Sequence, residues 1–315
     1  MVAIKEISKA SKLILETVPV SPVLTSQILD REFGCSLYFK CENLQPVGSF
    51  KARGAINAIG QLTNEELKRG VVTHSSGNHA RALAWAAAGR GTPCYVVMPE
   101  ASPAVKVQGT RRHGAIITFC GNTLAERESA ATTVQNESGA TFIHPYDNDA
   151  VIAGQGSLSV EFLQQAPQLS VFIAPVGGGG LMSGSAIALR ALKPGMQLIG
   201  VEPELAADAK ISVETGNLQP PFPPQTVADG LRTALSMRTL GYLMRNHVHI
   251  ATVSEKSIIE AMNLLMQELR VVVEPSGAVA FAYVLDNRHL MMHKQIGIVI
   301  SGGNLEVGQI LSGMV

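Results

Sequence analysis

Ser49-Phe50-Lys51-Ala52-Arg53-Gly54 sets one lysine inside an apolar, tightly packed segment, just after Pro46-Val47-Gly48. Burial disfavours an ammonium, so such a lysine can lose its proton and become a nucleophilic amine that condenses with a carbonyl. The competing reading is a helix-start lysine whose stem snorkels its charge to water. Three further glycine-rich segments, each after an apolar strand-like run, weigh toward chemistry.

The strongest of them is Val176-Gly177-Gly178-Gly179-Gly180-Leu181. Successive glycines let backbone N–H groups converge on one point, and a helix start adds its positive end. That is a phosphate cradle. No Gly-Lys-Ser/Thr follows, so it is not a Walker loop. The order strand, glycines, helix, strand and then Glu202 also resembles a dinucleotide site, the mark of a nicotinamide-dependent dehydrogenase. The spacing fails, because the third glycine falls on Ser183 or on Met182. A bare tight turn would not need four costly glycines. Thr73-His74-Ser75-Ser76-Gly77-Asn78-His79 gathers hydroxyls, an amide and imidazoles where a strand passes into a helix. It suits a carboxylate, although capping by Ser76 or Asn78 accounts for part of it. Ser301-Gly302-Gly303-Asn304 follows the apolar Gly297–Ile300 run and adds another hydroxyl; alone it is a turn signal.

These sites need elements to hold them. Short apolar runs predict strands at 37–40, 71–73, 95–98, 115–119, 140–143, 171–175, 197–201 and 296–300. Helical patterns lie between them at 50–59, 78–88, 104–113, 123–137, 152–165, 181–192 and 257–269. The alternation predicts an α/β fold with open, mostly parallel sheets, and ligands beyond the carboxyl ends of the strands. Residues 69–146 form a compact run of β and α units. They read as a smaller domain inserted in a large one made of 1–68 and 147–315. Gln219–Pro224 reads as a rigid Pro-rich surface loop.

Composition narrows the partner. The 315 residues are 46% hydrophobic and 16% charged, with 25 basic residues against 25 acidic ones, so the chain is globular and lacks a basic footprint for nucleic acid. Cys35, Cys41, Cys94 and Cys120 form no Cys-x-x-Cys pair and no zinc spacing, and read as reduced thiols of a cytoplasmic protein. The first twenty residues read as an amphipathic helix with no signal-peptide pattern, and no apolar run is long enough for a membrane. A small-molecule partner follows. A non-catalytic binding protein would need no buried lysine.

Together, Ser49–Gly54, Ser75–His79, Gly177–Gly180 and Ser301–Asn304 resemble, in order and spacing, the fold type II pyridoxal-phosphate enzymes, the tryptophan-synthase-β-like group. Gly154-Gln155-Gly156, Ala228-Asp229-Gly230 and Glu274-Pro275 are similar to the serine racemase and serine/threonine dehydratase branch. The resemblance implies pyridoxal 5′-phosphate on Lys51, with Phe50 against its ring, Asn78 on the ring hydroxyl and Ser301 facing the ring nitrogen. It places the Gly177–Gly180 amides on the phosphate, and Gly230 and Glu274 in the same cofactor site. Ser75, Ser76 and His79 would receive a substrate carboxylate. A serine cannot protonate the ring nitrogen as a carboxylic acid would, which argues for β-elimination over transamination. Ser76 matches the opposite-face acid/base of serine racemases.

The resemblance also implies a divalent cation, Mg²⁺, Mn²⁺ or Ca²⁺, on Glu202, the Ala206 carbonyl and Asp208. Two carboxylates with a carbonyl between them suit an oxygen site completed by water, though without the resemblance the stretch is an ordinary acidic loop. Arg127 matches an arginine that approaches the substrate side chain, and it equally suits a β-carboxylate. Pro46-Val47, Arg81 and His113 depart from residues that resemble the ATP contacts of animal serine racemases, which argues against nucleotide activation. A homodimer is the family expectation. The expected reaction is dehydration of L-serine or L-threonine to a 2-keto acid and ammonia, with serine racemisation open and 3-hydroxyaspartate as the alternative substrate.

Overall fold

Strands that are buried on both faces carry continuous Val, Ile and Phe, and the two sheets follow that rule. The computed structural model describes residues 1–75, 77–102, 104–220 and 225–305. Its strands are β1 (Val23–Leu24), β2 (Ser36–Cys41), β3 (Val71–His74), β4 (Cys94–Pro99), β5 (Ile116–Cys120), β6 (Thr141–Phe142), β7 (Val171–Pro175), β8 (Gln197–Pro203), β9 (His249–Val253) and β10 (Gln295–Ile300). Six form one sheet in the order β1-β2-β10-β7-β8-β9, and four form a second in the order β5-β4-β3-β6. Every pairing is parallel except β1 with β2. All strands of the second sheet come from residues 71–142.

Parallel strands require crossover helices, and these cover the sheets. The Pro275–Asp286 helix lies in the core of the six-stranded sheet, with Val279, Phe281 and Val284 wholly buried. Truncating a side chain such as Phe281 to Ala would cost about 3–5 kcal/mol.

Three helices approach one another through glycine. A methyl group on Gly154, in the Asp149–Gln165 helix, would come within 2.6 Å of the Arg53 carbonyl oxygen in the Lys51–Gly60 helix. One on Gly156 would come within 2.7 Å of the Gly184 carbonyl in the Gly180–Leu192 helix. Backbone-to-backbone packing therefore spaces the start of the Lys51 helix from the start of the glycine-loop helix.

Several element bounds differ from those expected. β3 runs on to His74, β6 keeps only Thr141–Phe142, and β8 continues through Glu202 to Pro203. β1, β9 and the Pro275–Asp286 helix were not expected. The N-terminal helix spans Ile4–Leu15 and buries Ile7, Ala10 and Ile14. The Pro221–Pro224 part of the Pro-rich loop lies outside the described residues.

Candidate active site

Lys51 opens its helix at the edge of the six-stranded sheet. The residues before it are tied to the end of β10: Phe50 N–H donates to the Ser301 carbonyl at 3.1 Å, and Ser49 bridges Gly302. Lys51 Nζ donates to the Pro145 carbonyl at 3.0 Å and stands 5.1 Å from the Phe50 ring centroid. It has no ion-pair partner among the described residues. Burial without an anion lowers its pKa to about 8. A second lysine shares part of this setting, though without flanking glycines. Lys40 also follows a phenylalanine and is wholly buried. Lys40, however, spends its ammonium donors on the Ser21 carbonyl at 2.8 Å, Gln165 Oε1 at 2.6 Å and the Glu161 carboxylate. Burial pulls its pKa down while Glu42 and Glu161 push it back up.

The glycine loop stands at the carboxyl end of β7. Among the described residues, none of the Gly177, Gly178, Gly179 and Gly180 amides donates a hydrogen bond, although Gly178, Gly179 and Gly180 are buried. Buried N–H groups require a partner, and three of them beside a fourth at a helix start suit a phosphate. Side chains there are excluded. A methyl on Gly178 would overlap the Tyr146 ring, and one on Gly179, at φ +82°, would meet Leu235 at 2.7 Å. Tyr146 directly follows Pro145, whose carbonyl holds Lys51. One turn thus touches both the lysine and the loop.

A polar chain runs beside Gly302, which Ser49 bridges. Asn78 Nδ2 donates to Glu274 Oε1 at 2.6 Å, and Asn304 Nδ2 donates to Asn78 Oδ1 at 2.8 Å. Arg81 Nη1 donates to Asn304 Oδ1 at 2.6 Å. Glu274 is buried, which raises its pKa to about 7 against the pull of its Asn78 hydrogen bond and of Lys106. Gly230 N–H donates to Ser276 Oγ at 2.9 Å, and Ser301 Oγ donates to the Ser276 carbonyl at 3.3 Å. Glu274 N–H donates to the Gly302 carbonyl at 3.1 Å, which brings the Asn78–Glu274 pair next to Ser301 and the Gly230–Ser276 contact. A cleft of about 100 Å³ opens beside it, lined by Gly77, Asn78, Arg81, Lys106 and Asn304. A wider surface groove of about 700 Å³, lined by Glu32, Lys256 and Arg288, holds none of these residues.

At the carboxyl end of β3, Ser75 Oγ accepts from Gly77 N–H at 3.3 Å. Ser76 lies outside the described residues. His79 is 2% exposed, and its Nε2 faces the Ile143 carbonyl at 3.3 Å. Burial, then the neighbouring Lys51, hold its pKa well below the usual imidazole value. A neutral ring that donates to Ile143 turns no second N–H toward a carboxylate. Arg127 brings its charge close to His74 and Tyr146, and its Nε is buried without a partner among the described residues.

Glu202 and Asp208 are 1% and 3% exposed. Glu202 accepts from the Ala209 and Lys210 amides at 3.1 and 2.7 Å, and Asp208 from Leu235 N–H at 3.0 Å. Neither forms an ion pair among the described residues. Burial raises Glu202 to about 8, with Asp208 adding to the rise, and raises Asp208 to about 6. Two buried carboxylates without a cationic partner fit a hard divalent ion. The Ala206 carbonyl lies in the 3₁₀ turn between them.

A buried lysine whose pKa is lowered to about 8, a helix-start loop of free amides and a polar chain reaching Glu274 fit an enzyme that holds a phosphorylated aldehyde cofactor. The model of the pyridoxal-phosphate dependent enzymes matches residues 14–302, and the chain belongs to that family. It is 43% identical to the β-hydroxyaspartate dehydratase of Paracoccus denitrificans (strain Pd 1222), with 92% of each chain covered. The structure of maize serine racemase superposes with a TM-score of 0.95 at 38% identity, covering 99% of this chain and 96% of that one. The threonine deaminase of T.th. gives 0.92 at 41% identity, covering 97% and 99%. The fold is that of the fold type II pyridoxal-phosphate enzymes, and the cofactor is pyridoxal 5′-phosphate.

Sequence reasoning passed over Tyr146, Asn304's place in the chain from Arg81 to Glu274, and the carboxylates around Arg53. Tyr146 had a signal: a Pro-Tyr pair at the carboxyl edge of β6. The carboxylate partners of Arg53 are 11 and 108 residues away in the chain, and no local pattern links them.

Proposed function

We propose that the chain dehydrates L-serine or L-threonine to the 2-keto acid and ammonia, with serine racemisation as a second outcome at the same site. The observation that carries this reading is Lys51, buried, without an ion-pair partner among the described residues, and held by the turn that also packs on the glycine loop. When bound, the cofactor supplies an electron sink next to the substrate α-carbon. Gly177–Gly180 would hold its phosphate, Phe50 its ring, and Asn78, with Gly230 and Glu274 behind it, its polar edge. Ser301 offers the ring nitrogen a hydroxyl and no carboxylic acid, which favours loss of a β-leaving group over amino-group transfer. Lys51, as a free amine, takes the α-proton on one face. Ser76 is assigned as the donor on the other face on its family match. The substrate carboxylate is received by Ser75 and Ser76 and by the backbone N–H groups that start the Asn78–Ala88 helix. The His79 ring, turned to Ile143, shapes that seat instead of donating to it.

A second reading has its own observation. Arg127 has a buried Nε without a partner among the described residues, and the Paracoccus relative is a β-hydroxyaspartate dehydratase. An arginine facing the β-substituent would select a β-carboxylate. A panel of L-serine, L-threonine and L-threo-3-hydroxyaspartate, read for keto acid and for D-serine, tests both. Keto acid from serine or threonine at the higher kcat/KM supports the first reading. Turnover of hydroxyaspartate alone replaces it with the second, and turnover of none contradicts both.

The same reading places a divalent cation on Glu202, Asp208 and the Ala206 carbonyl, takes the enzyme as a cytoplasmic homodimer, and leaves it without nucleotide activation. Its division into a large unit (1–68 and 147–315) and a small one (69–146) is supported by sheet membership. No helix among the described residues is long and apolar enough to cross a membrane.

A further inference from the structure

Two residues past Lys51, Arg53 is 1% exposed and is met by two carboxylates. Nε and Nη2 donate to Glu42 Oε2 and Oε1, each at 2.8 Å. Nη1 and Nη2 donate to Glu161 Oε2 and Oε1 at 3.0 and 2.9 Å. Lys40 adds a second cation on Glu161, and the Ser21 hydroxyl donates to Glu42 at 2.5 Å. Two positive and two negative charges cancel within the cluster.

Stability is a weak reason for such a group. Desolvation costs several kcal/mol per ion, and apolar residues of the same volume often serve as well. What the group supplies is direction. A planar guanidinium held by two bidentate carboxylates can neither rotate nor slide. Glu42 follows β2, Lys40 lies in β2, and Glu161 lies on the Asp149–Gln165 helix. Arg53 therefore ties the first turn of the Lys51 helix to the large sheet and to the helix that separates it from the glycine-loop helix. The Gly154–Arg53 and Gly156–Gly184 backbone contacts complete that path.

We infer that Arg53 is a positioning residue: its double fork fixes the span from Lys51 Nζ to the Gly177–Gly180 amides at the length of one cofactor molecule. The inference rests on the assignment of Lys51 and the glycine loop to the cofactor. With its charge cancelled by Glu42 and Glu161, Arg53 acts by geometry.

A double-mutant cycle on cofactor affinity, measured by equilibrium dialysis of apoenzyme with pyridoxal 5′-phosphate, tests it. Lys51→Ala can still bind cofactor through the phosphate loop, but nothing then spans the two helix starts. Arg53→Lys should weaken binding tenfold or more where Lys51 is present, and less than twofold in Lys51→Ala. Equal losses in both backgrounds, or no loss in either, overturn the inference, because a merely structural role acts on both alike. If Arg53→Lys does not fold, Glu42→Gln carries the same cycle, since the amide keeps the shape and one acceptor oxygen. Borohydride treatment of Lys51→Ala separates the two layers. A surviving reducible chromophore overturns the Lys51 assignment itself, and the inference with it. Its absence leaves the cycle to decide on Arg53.

Discussion

Lys51 and Lys40 are both buried and both follow a phenylalanine, yet their partners divide their roles. Lys40 meets the Glu161 carboxylate, whereas Lys51 meets a carbonyl and an aromatic face. A burial-lowered amine near 8 sets an expected pH profile. Cofactor capture by apoenzyme, followed by its visible absorbance, should rise with pH through about 8 and then level off, because the neutral amine is the reacting form. A midpoint near the ordinary lysine value of about 10.4 would contradict the desolvation account. Ser76 carries a second expectation at this scale. Ser76→Ala should lose racemisation of L-serine by at least about 100-fold, the usual lower range for removal of an acid/base, and lose dehydration of L-serine far less. Chiral chromatography beside a pyruvate assay reads both. Equal losses would leave Ser76 as a carboxylate ligand alone.

Among the elements, Glu202 is the last residue but one of β8 and the Asp208–Thr215 helix begins on Asp208, so a cation there would pin a strand end to a helix start. Mg²⁺ at about 100 times its Kd should add roughly 2.7 kcal/mol by mass action. Thermal unfolding in Mg²⁺ against EDTA should then differ by a few degrees, and the difference should vanish in Asp208→Ala. An unchanged Tm would return the pair to a helix-capping role. The elements that hold the site were legible because they carry period and punctuation: apolar β3, β7 and β10 each stop at a polar or glycine-rich turn. The Pro275–Asp286 helix was not legible for the opposite reason. Ser276 through Leu285 are all buried, so it shows no polar stripe and no helical period. The burial of Lys40 was not legible, because only its contacts with Glu161 and Gln165, more than a hundred positions away, make a buried lysine tolerable.

At the scale of the molecule, the proposed cofactor seat draws on both sheets: Ser75 follows β3, while the glycine loop and Ser301 follow β7 and β10. Lys106, from the helix beyond β4, pairs with Asp229, next to Gly230 on the six-stranded side. Both are partly exposed, so the pair contributes less than about 1 kcal/mol to folding. Its expected part is to hold the Lys106 helix, which lines the cleft, against the Gly230 turn. Asp229→Asn should leave Tm within about 2 °C while raising KM several-fold, read by steady-state kinetics. A large Tm loss at unchanged KM would make it an ordinary strut.

The central claim is that Lys51, and not the equally buried Lys40, carries the cofactor. Borohydride reduction of the holoenzyme, followed by proteolysis and mass spectrometry of the phosphopyridoxyl peptide, tests it most directly. The account predicts one modified site, Lys51, in the peptide that contains Ser49-Phe50, with loss of all turnover on reduction. A label on Lys40 or on any other lysine, or reduction that leaves activity intact, would contradict it.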